Sequence, residues 1–299
     1  MTSAIPPYLD DYITPERLAE LVRQAREEDL GPDGLDVTSE LFVPADLQGE
    51  ASIVVREPGR LAGGALLYAV AQAYDTAIVT KVIITDGNPV KPGDRVATLS
   101  GPMRRILSAE RVALNLVTHL SGVATLTSRY VQAVSGTNAK VYDTRKTLPG
   151  LRGLQKYAVA CGGGGTHRMG LYDAVLLKDN HLAHIDANGL GQAVTDAVQQ
   201  SRNTYPQLKF VMVEVDTLDQ LEAVLPSGVD IVLLDNMDND QLSQAVAMRD
   251  ASAPQIELEA SGGVTLDTIT AIARTGVNRI SVGALTHSAP SLDLGLDIR

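Results

Sequence analysis

Cysteine is nearly absent from this chain. Its 299 residues contain a single cysteine, Cys161, so no disulfide can form within the chain. Proteins of the reducing cytoplasm typically lack disulfides, and the composition fits that compartment. The N-terminal stretch MTSAIPPYLDDYITPERL also lacks the basic segment followed by an apolar one that a secretory signal requires. We therefore expect a cytoplasmic protein.

Aromatic residues and positive charge are also scarce. Aromatics make up 4% of the chain with no Trp, and the net charge at pH 7 is −11. Base stacking relies on aromatic side chains, while nucleic acids and anionic membrane surfaces attract basic proteins. No apolar run approaches the ~18 residues that a membrane span requires. These absences argue against nucleic-acid and membrane partners, whereas the 44% hydrophobic content allows one large core or two domains.

The first 130 residues or so contain helical and strand patterns in separate blocks. PERLAELVRQAREEDL predicts an N-terminal helix, and β-branched runs with tight-turn residues predict several short strands between Glu50 and Gly101. A long amphipathic helix is predicted next, through Ile106 and Val123. Ser108 is a candidate N-cap for that helix, with Glu110 favourably placed near the positive end of its dipole.

Beyond Lys140, short apolar runs alternate with amphipathic segments. The runs are KVYD, DAVLLK, KFVMVEV, DIVLLD, QIELE and RISVG. Thr217 and Gln220 predict a capping box, Thr265 is a candidate cap for LDTITAIART, and Gly276 suits the end of that helix. Such alternation predicts parallel strands, and we favour a barrel whose site lies at the carboxyl ends of the strands. The segment is short for eight strand–helix units, so we expect an incomplete barrel.

Five basic or imidazole side chains follow two of these predicted strands or the glycine run Gly162–Gly165. They are Arg145, Lys146, His167, Arg168 and Lys178. Arginine presents a planar fork that matches carboxylate or phosphate, whereas lysine is a movable point charge. Cations converging on one opening repel one another unless a polyanion binds there. The alternative is that they are ordinary solvated surface charges.

Two acidic residues, Glu214 and Asp235, each end an apolar strand. Carboxylates at a barrel rim can hold Mg²⁺ or bind sugar hydroxyls. The alternative is that they cap the next helix or pair with a neighbouring lysine. Asp179 and Asp216 are weaker candidates for the same roles.

Glycine-rich turns follow the last two predicted strands. Ser261–Gly263 and the segment around Gly283 match the usual position of a barrel phosphate site, where backbone N–H groups face the phosphate. His287 is expected to be structural. A ribose carrying a phosphate and a diphosphate, together with an acidic acceptor, would use the cations, the carboxylates and the glycines at once.

The motifs at these positions resemble, in order, those of the quinolinate phosphoribosyltransferase family. They are DTRKTLPGLRGLQKYAV, GGGGTHRMGLYDAVLLKDNH, VEVDTL, VLLDNM, LEASGGV and VGALTHS. EDLGPDGLDVTSELF and AERVALNLVTHLSGVAT match as well, so the resemblance covers nearly the whole chain. Thr166 departs from the family, which usually has Asn before the His-Arg pair.

The resemblance implies an α/β fold with two parts. An N-terminal α/β sandwich domain would span 1–117, completed by 286–299, and an incomplete α/β barrel of the seven-stranded type would span 118–285. VKPGDRVATLSG, within the sandwich, also resembles the hairpin of lipoyl-type carriers, but it has no lysine at the hairpin tip.

The resemblance also implies a reaction and a role for each candidate residue. Quinolinate would react with phosphoribosyl diphosphate and Mg²⁺ to give nicotinate mononucleotide, diphosphate and CO₂, on the de novo route to NAD. The resemblance implies that the quinolinate carboxylates are bound by Arg145, His167, Arg168 and, from the neighbouring subunit of a homodimer, Arg111. Contacts with carboxylate or diphosphate oxygens are implied for Lys146 and Lys178, and contacts with the metal and the ribose hydroxyls for Glu214 and Asp235. The residues implied for the 5′-phosphate are Ser261, Gly262, Gly263 and Gly283.

Three other functions remain open from the residues alone. A barrel lyase or aldolase would use Lys178 or Lys146 as a Schiff base. A related phosphoribosyltransferase would take nicotinate without decarboxylation, and a binding module would use the same strand ends without catalysis.

Overall fold

A computed structural model describes residues 8–298. Its strands are β1 (Gln48–Val55), β2 (Gly59–Arg60), β3 (Val79–Val82), β4 (Pro89–Val90), β5 (Arg95–Pro102), β6 (Lys140–Tyr142), β7 (Val175–Leu177), β8 (Val211–Val215), β9 (Ile231–Asp235), β10 (Glu257–Ser261), β11 (Arg279–Ser281) and β12 (Leu294–Ile298). Its α-helices are α1 (Pro15–Leu30), α2 (Val37–Phe42), α3 (Leu67–Tyr74), α4 (Met103–Ala133), α5 (Arg152–Cys161), α6 (Asp179–Leu182), α7 (Leu190–Thr204), α8 (Leu218–Val224), α9 (Asn239–Ser252), α10 (Ile269–Arg274) and α11 (Ala284–His287).

The chain divides into two compact units. The first contains the described residues up to Ser128, then Thr147–Gly163 and the described residues from Leu285 onward. The second contains Arg129–Lys146 and Gly164–Ala284. The predicted boundary between residues 117 and 118 falls inside α4, and it stays a prediction.

An antiparallel sheet in the order β12–β1–β5–β3 forms the centre of the first unit. Strand β12 pairs with β1, so the end of the described chain belongs to this sheet. Residues of α1, α3 and α4 pack on the sheet around a core that includes Ile53, Val96 and Ile106. A mixed sheet-and-helix domain therefore precedes the parallel part of the fold, as expected.

Two local expectations about helices were wrong. Helix α4 begins at Met103, directly after β5, so Ser108 and Glu110 lie inside the helix and not at its start. The Ser108 hydroxyl donates to Asp36 Oδ2, and Asp36 is the N-cap residue of α2. Helix α10 begins at Ile269, so Thr268, and not Thr265, stands at its N-cap position. Thr265 belongs to the preceding turn, in which its amide donates to Thr268 Oγ1.

Two other helix signals are confirmed, the first of them in part. Thr217 accepts a hydrogen bond from the Gln220 amide at the start of α8, but the reciprocal bond of a capping box is missing, because Gln220 Oε1 accepts from the Asp216 amide instead. Gly276 lies just past α10 with φ +96°, a conformation that glycine adopts without strain.

The second unit is built on a parallel sheet in the order β6–β11–β10–β9–β8–β7. Helices α7, α8, α9 and α10 lie between consecutive strands from β7 to β11 in the sequence. No strand pairing within residues 8–298 joins β6 to β7, so the barrel is not closed. Beside β6, Gly165 forms an isolated parallel bridge with Tyr142. Within the described residues the parallel sheet therefore has six strands, where the family resemblance implies a seven-stranded type.

None of the helices in the described part of the chain combines the length and the apolar character needed to cross a membrane.

Candidate active site

A cavity of about 430 Å³ lies in the second unit, at the carboxyl ends of the parallel strands. Parallel strands bring their carboxyl ends to one edge, so residues far apart in the sequence meet there. The lining residues are Thr144, Arg145, Lys146, His167, Arg168, Leu176, Lys178, Glu214, Leu233, Asp235, Glu259, Ser261 and Ser281. The predicted cations, carboxylates and serine thus line one cavity, and their roles stay predictions.

We call Arg145 and Lys146, which follow β6, together with the buried Arg168, the cationic wall of the cavity. Arg168 is only 6% exposed, and its Nη1 donates to the Ala174 carbonyl at 3.0 Å. Burial and the charge of Arg145 lower the pKa of Arg168, while Asp173 opposes this effect. Two guanidinium groups therefore repel each other in a partly desolvated site, and a bound anion would relieve that repulsion.

The position of Arg168 in the cationic wall depends on the backbone of the residues just before it, Gly165 to His167. The His167 amide donates to Asp143 Oδ1 at 2.7 Å, and Asp143 is fully buried. Two residues earlier, a Cβ on Gly165 would lie 2.6 Å from the Tyr142 ring. Only glycine therefore lets the chain lie flat against Tyr142 and then place His167 and Arg168 at the cavity.

A buried ion pair between Glu259 and Arg279 lies at the cavity, and Glu259 is part of the lining. Glu259 Oε2 accepts from Arg279 Nε at 2.7 Å, and the Arg279 guanidinium stacks 3.6 Å from the centre of the Tyr142 ring. Burial alone would raise the pKa of Glu259, but hydrogen bonds from His167 and Arg279 and the guanidinium charge outweigh burial and lower it. Glu259 is fully buried, so it stays ionised only because these partners surround it.

The acidic wall contains the two predicted carboxylates. Lys178 Nζ donates to Glu214 Oε2, and Asn236 Nδ2 donates to Asp235 Oδ2 at 2.7 Å. Both carboxylates also line a neighbouring cavity of about 450 Å³, which includes the weaker candidates Asp179 and Asp216.

This donor set fits Mg²⁺. No group of three or more potential metal-ligating side chains occurs in residues 8–298. However, Mg²⁺ usually takes one or two protein carboxylates and fills its remaining positions with water and phosphate oxygens. Glu214 and Asp235 meet that requirement, because both face the same space.

The glycine turn after β10 packs tightly on the turn after β9. Gly262 and Gly263 have φ of +100° and +57°, and a Cβ on Gly262 would lie 2.1 Å from Asn236 Oδ1. Ser261 lines the cavity immediately before them. Gly283 follows β11 and precedes α11, and His287 shares a hydrogen bond with Ser288.

Arg111 is the one predicted ligand that the structure assigns to the first unit. It lies on α4 with its side chain 63% exposed and Nη2 4.0 Å from Glu110 Oε1. Within the first unit it lines a separate cavity with Asp29 and Asp36.

Family models decide the relationship of this chain to known proteins. The family model described as "Quinolinate phosphoribosyl transferase, N-terminal domain" matches residues 36–121, and the model of the corresponding C-terminal domain matches residues 123–297. The chain belongs to the quinolinate phosphoribosyltransferase family. The resemblance read from the motifs is thereby confirmed.

Individual relatives agree with this quinolinate phosphoribosyltransferase assignment. The nicotinate-nucleotide pyrophosphorylase [carboxylating] of Mycobacterium leprae is 45% identical over 279 residues, covering 93% of this chain and 95% of that protein. A probable enzyme of the same name from Bacillus subtilis is 37% identical over 282 residues, covering 94% and 93%. The solved nicotinate-nucleotide pyrophosphorylase of Francisella tularensis superposes with a TM-score of 0.87 at 37% identity, covering 96% of this chain and 98% of that chain.

Sequence reasoning missed several residues around the site of this quinolinate phosphoribosyltransferase family member. Among them are Asp143, Asn236, Glu259 and Arg279. A signal for two of them was present, because QIELE and RISVG each place a charged residue inside a short apolar run. A charge within a buried parallel strand needs a partner on a neighbouring strand, and Glu259 is directly paired with Arg279 in the register of β10 and β11.

Proposed function

We infer that this enzyme transfers the phosphoribosyl group of phosphoribosyl diphosphate to quinolinate and releases diphosphate and CO₂, leaving nicotinate mononucleotide. The observation that carries the inference is a single cavity whose lining contains both cations, among them Arg145 and Arg168, and the carboxylates Glu214 and Asp235. The names of the relatives specify which polyanion and which sugar phosphate match this lining.

Quinolinate binding falls to the cationic wall. Arg145 and Arg168 each present a planar fork that can take a carboxylate through two parallel hydrogen bonds. Quinolinate carries two adjacent carboxylates, so it neutralises both guanidinium groups and removes the repulsion that lowers the pKa of Arg168. This match favours a dicarboxylate over nicotinate, which has one carboxylate.

The sugar and diphosphate are assigned to the acidic wall and the two lysines. Bound Mg²⁺ would neutralise diphosphate oxygens, and Glu214 and Asp235 are the residues that would hold it. Lys146 and Lys178 contact the leaving diphosphate, and the carboxylates stabilise positive charge that develops on the ribose. Ser261, Gly262, Gly263 and Gly283 surround the 5′-phosphate.

The electron flow needs no covalent enzyme nucleophile. The bond from the anomeric carbon to the diphosphate oxygen breaks and its electron pair leaves with diphosphate, while the pyridine nitrogen lone pair forms the new bond to carbon. The nitrogen then carries a positive charge, which stabilises the electron pair that stays on the adjacent ring carbon when its carboxylate departs as CO₂. Protonation of the ring carbon completes nicotinate mononucleotide. Cys161 is buried in the first unit, where burial raises its pKa to about 12, which suits a structural role.

The Schiff-base alternative is less consistent with the site. Lys178 Nζ donates to Glu214 Oε2, so its nitrogen is directed at a carboxylate and not at an incoming carbonyl group. Schiff-base formation requires attack on that carbonyl group by the lysine nitrogen. Treatment with borohydride and a carbonyl compound such as pyruvate should therefore leave the enzyme unmodified.

A homodimer with Arg111 donated across the interface is the second part of the proposal. The exposed Arg111 side chain is available to a second copy. Arg111→Ala and Arg145→Ala should each be inactive, and a mixture of the two, after subunit exchange, should regain activity through hybrid sites. A mixture that stays inactive although hybrids form would contradict the shared site.

The deciding assay combines the protein with carboxyl-labelled quinolinate, phosphoribosyl diphosphate and Mg²⁺. We expect labelled CO₂ and nicotinate mononucleotide, with no release when phosphoribosyl diphosphate is omitted. Nicotinate in place of quinolinate should give no nucleotide. Nucleotide formation from nicotinate, with none from quinolinate, would overturn the proposed acceptor.

A further inference from the structure

A continuous chain of polar contacts runs behind the cationic wall. It starts at Arg279, whose Nε donates to Glu259 Oε2 at 2.7 Å. The other carboxylate oxygen, Oε1, faces His167 Nε2 at 3.5 Å. The second ring nitrogen, His167 Nδ1, accepts the Arg168 backbone amide at 2.8 Å. Glu259 is therefore linked to the backbone of Arg168 through one imidazole ring.

The contacts determine where the imidazole proton sits. A backbone amide can only donate, so Nδ1 must offer its lone pair to Arg168 and cannot carry a proton. In the neutral ring, the proton then lies on Nε2, the nitrogen that is 3.5 Å from Glu259 Oε1. Within residues 8–298, Glu259 Oε1 makes no direct hydrogen bond, so this contact is the polar neighbour that the structure gives it. Both nitrogens of His167 are thus directed at protein groups.

The surroundings leave the ring little freedom to turn toward a ligand. His167 is 7% exposed, and its ring meets the edge of Phe210 at 5.4 Å with an interplanar angle of 89°. Arg279 is held on the other side of Glu259 by Tyr142 and also contacts Glu257. Rotation of the ring would remove the polar atom that faces the buried Glu259 Oε1, which is unfavourable because a buried carboxylate needs polar neighbours.

We propose that Glu259 is a positioning residue for substrate binding. It holds the His167 ring through Nε2, and the ring holds the Arg168 backbone through Nδ1, so that the Arg168 guanidinium stays directed into the cavity. The proposal rests on the proposed function for the identity of the anion.

A double-mutant cycle tests whether Glu259 acts through His167. Glu259→Gln keeps the shape of the side chain but removes the charge and one acceptor, and His167→Phe keeps a ring against Phe210 without nitrogens. Each change should weaken quinolinate binding, measured calorimetrically, by about tenfold or more, because a buried polar link is lost. KM for phosphoribosyl diphosphate should change by about twofold or less. Because residues in one network are not additive, Glu259→Gln should add nothing in the His167→Phe background.

Additive effects in the cycle would overturn the proposal, because they would mean that His167 and Glu259 act independently. Unchanged quinolinate affinity in Glu259→Gln would overturn it as well. If Glu259→Gln fails to fold because Arg279 loses its counter-ion, the combined Glu259→Gln/Arg279→Met variant removes the unpaired charge and replaces it in the cycle.

A spectroscopic readout separates this proposal from the proposed function. Nitrogen NMR of the histidine rings, with the His167 signals assigned by their loss in His167→Phe, should show a protonated Nε2 and an unprotonated Nδ1 in the wild-type protein. A proton on Nδ1 would refute the contact chain whatever the enzyme turns over. Conversely, failure of the wild-type protein to release CO₂ from quinolinate would refute the proposed function while leaving the ring measurement intact.

Discussion

Arg145 shows how a single side chain gains its role from its neighbour. It follows β6 and lines the cavity with Arg168, whose pKa it lowers in addition to the effect of burial. The two groups would be separated by solvent on an ordinary surface, where like charges are screened. In the cavity, their repulsion is relieved by an anion with two carboxylates.

Replacing Arg145 by Ala should abolish most of the quinolinate turnover without unfolding the protein. We expect kcat/KM to fall by about 100-fold or more, since truncating one partner of a buried charge pair costs about 2–5 kcal/mol. Arg274→Ala is the matched control, because Arg274 is an exposed arginine on α10 and lines neither cavity of the second unit. Wild-type kinetics in Arg145→Ala would remove this residue from the binding site.

At the scale of elements, the site depends on two neighbouring turns. The turn after β9 places Asn236 at φ 55°. The side-chain amide of Asn236 donates to Asp235 Oδ2 at 2.7 Å. The backbone N–H of Asn236 donates to the Ser261 carbonyl at 2.9 Å. The turn after β10 passes so close that Gly262 contacts Asn236. The side chain that donates to Asp235 therefore packs against a glycine in the turn after the neighbouring strand, β10.

Gly262→Ala should displace Asn236 and, with it, Asp235. The added methyl would lie 2.1 Å from Asn236 Oδ1, and φ +100° is unfavourable for alanine. Gly228→Ala is the control, because Gly228 also has a left-handed φ, +79°, but has nothing within 4 Å of the added Cβ. Both variants should lose about 1–3 kcal/mol from backbone strain. Only Gly262→Ala should also lose turnover; equal activity of the two variants would contradict the coupling to Asp235.

At the scale of the whole molecule, the two units have different tasks. All cavity-lining residues of the candidate site belong to the second unit, whereas Arg111 and the buried Cys161 belong to the first. Ligand binding is therefore expected to stabilise the folded chain through the parallel sheet, since the cavity exists only when its strand ends are assembled.

Phosphoribosyl diphosphate with Mg²⁺ should raise the melting temperature. Ligand at 100 times its Kd adds about 2.7 kcal/mol to the free energy of unfolding. For a domain of about 150–250 residues, that corresponds to a rise in melting temperature of roughly 5–10 °C. The measurement is a thermal scan with and without EDTA, which should remove most of the rise. The absence of a shift at saturating ligand would count against the assigned phosphate and metal residues.

Much of the fold could be predicted because its signals are local. The helix at Pro15–Leu30, the strand–helix alternation beyond Lys140 and the cap at Thr217 depend on residues within one or two turns of one another. Predictions failed where tertiary contacts override local signals. Ser108 has the chemistry of an N-cap, but it lies within α4 because the helix begins directly after β5, and its hydroxyl donates to Asp36 instead.

The sequence by itself determined the family, and it predicted the edge of the sheet at which the candidate site residues lie. Motif residues end successive strands, and parallel strands bring their carboxyl ends together whatever the details of packing. Only the tertiary structure decided which buried groups support the site. Strand order places β10 and β11 beside β6, so Glu259, Arg279 and Tyr142 meet although they lie far apart along the chain. A buried charge requires partners from neighbouring strands, and those partners are defined only when the sheet has formed.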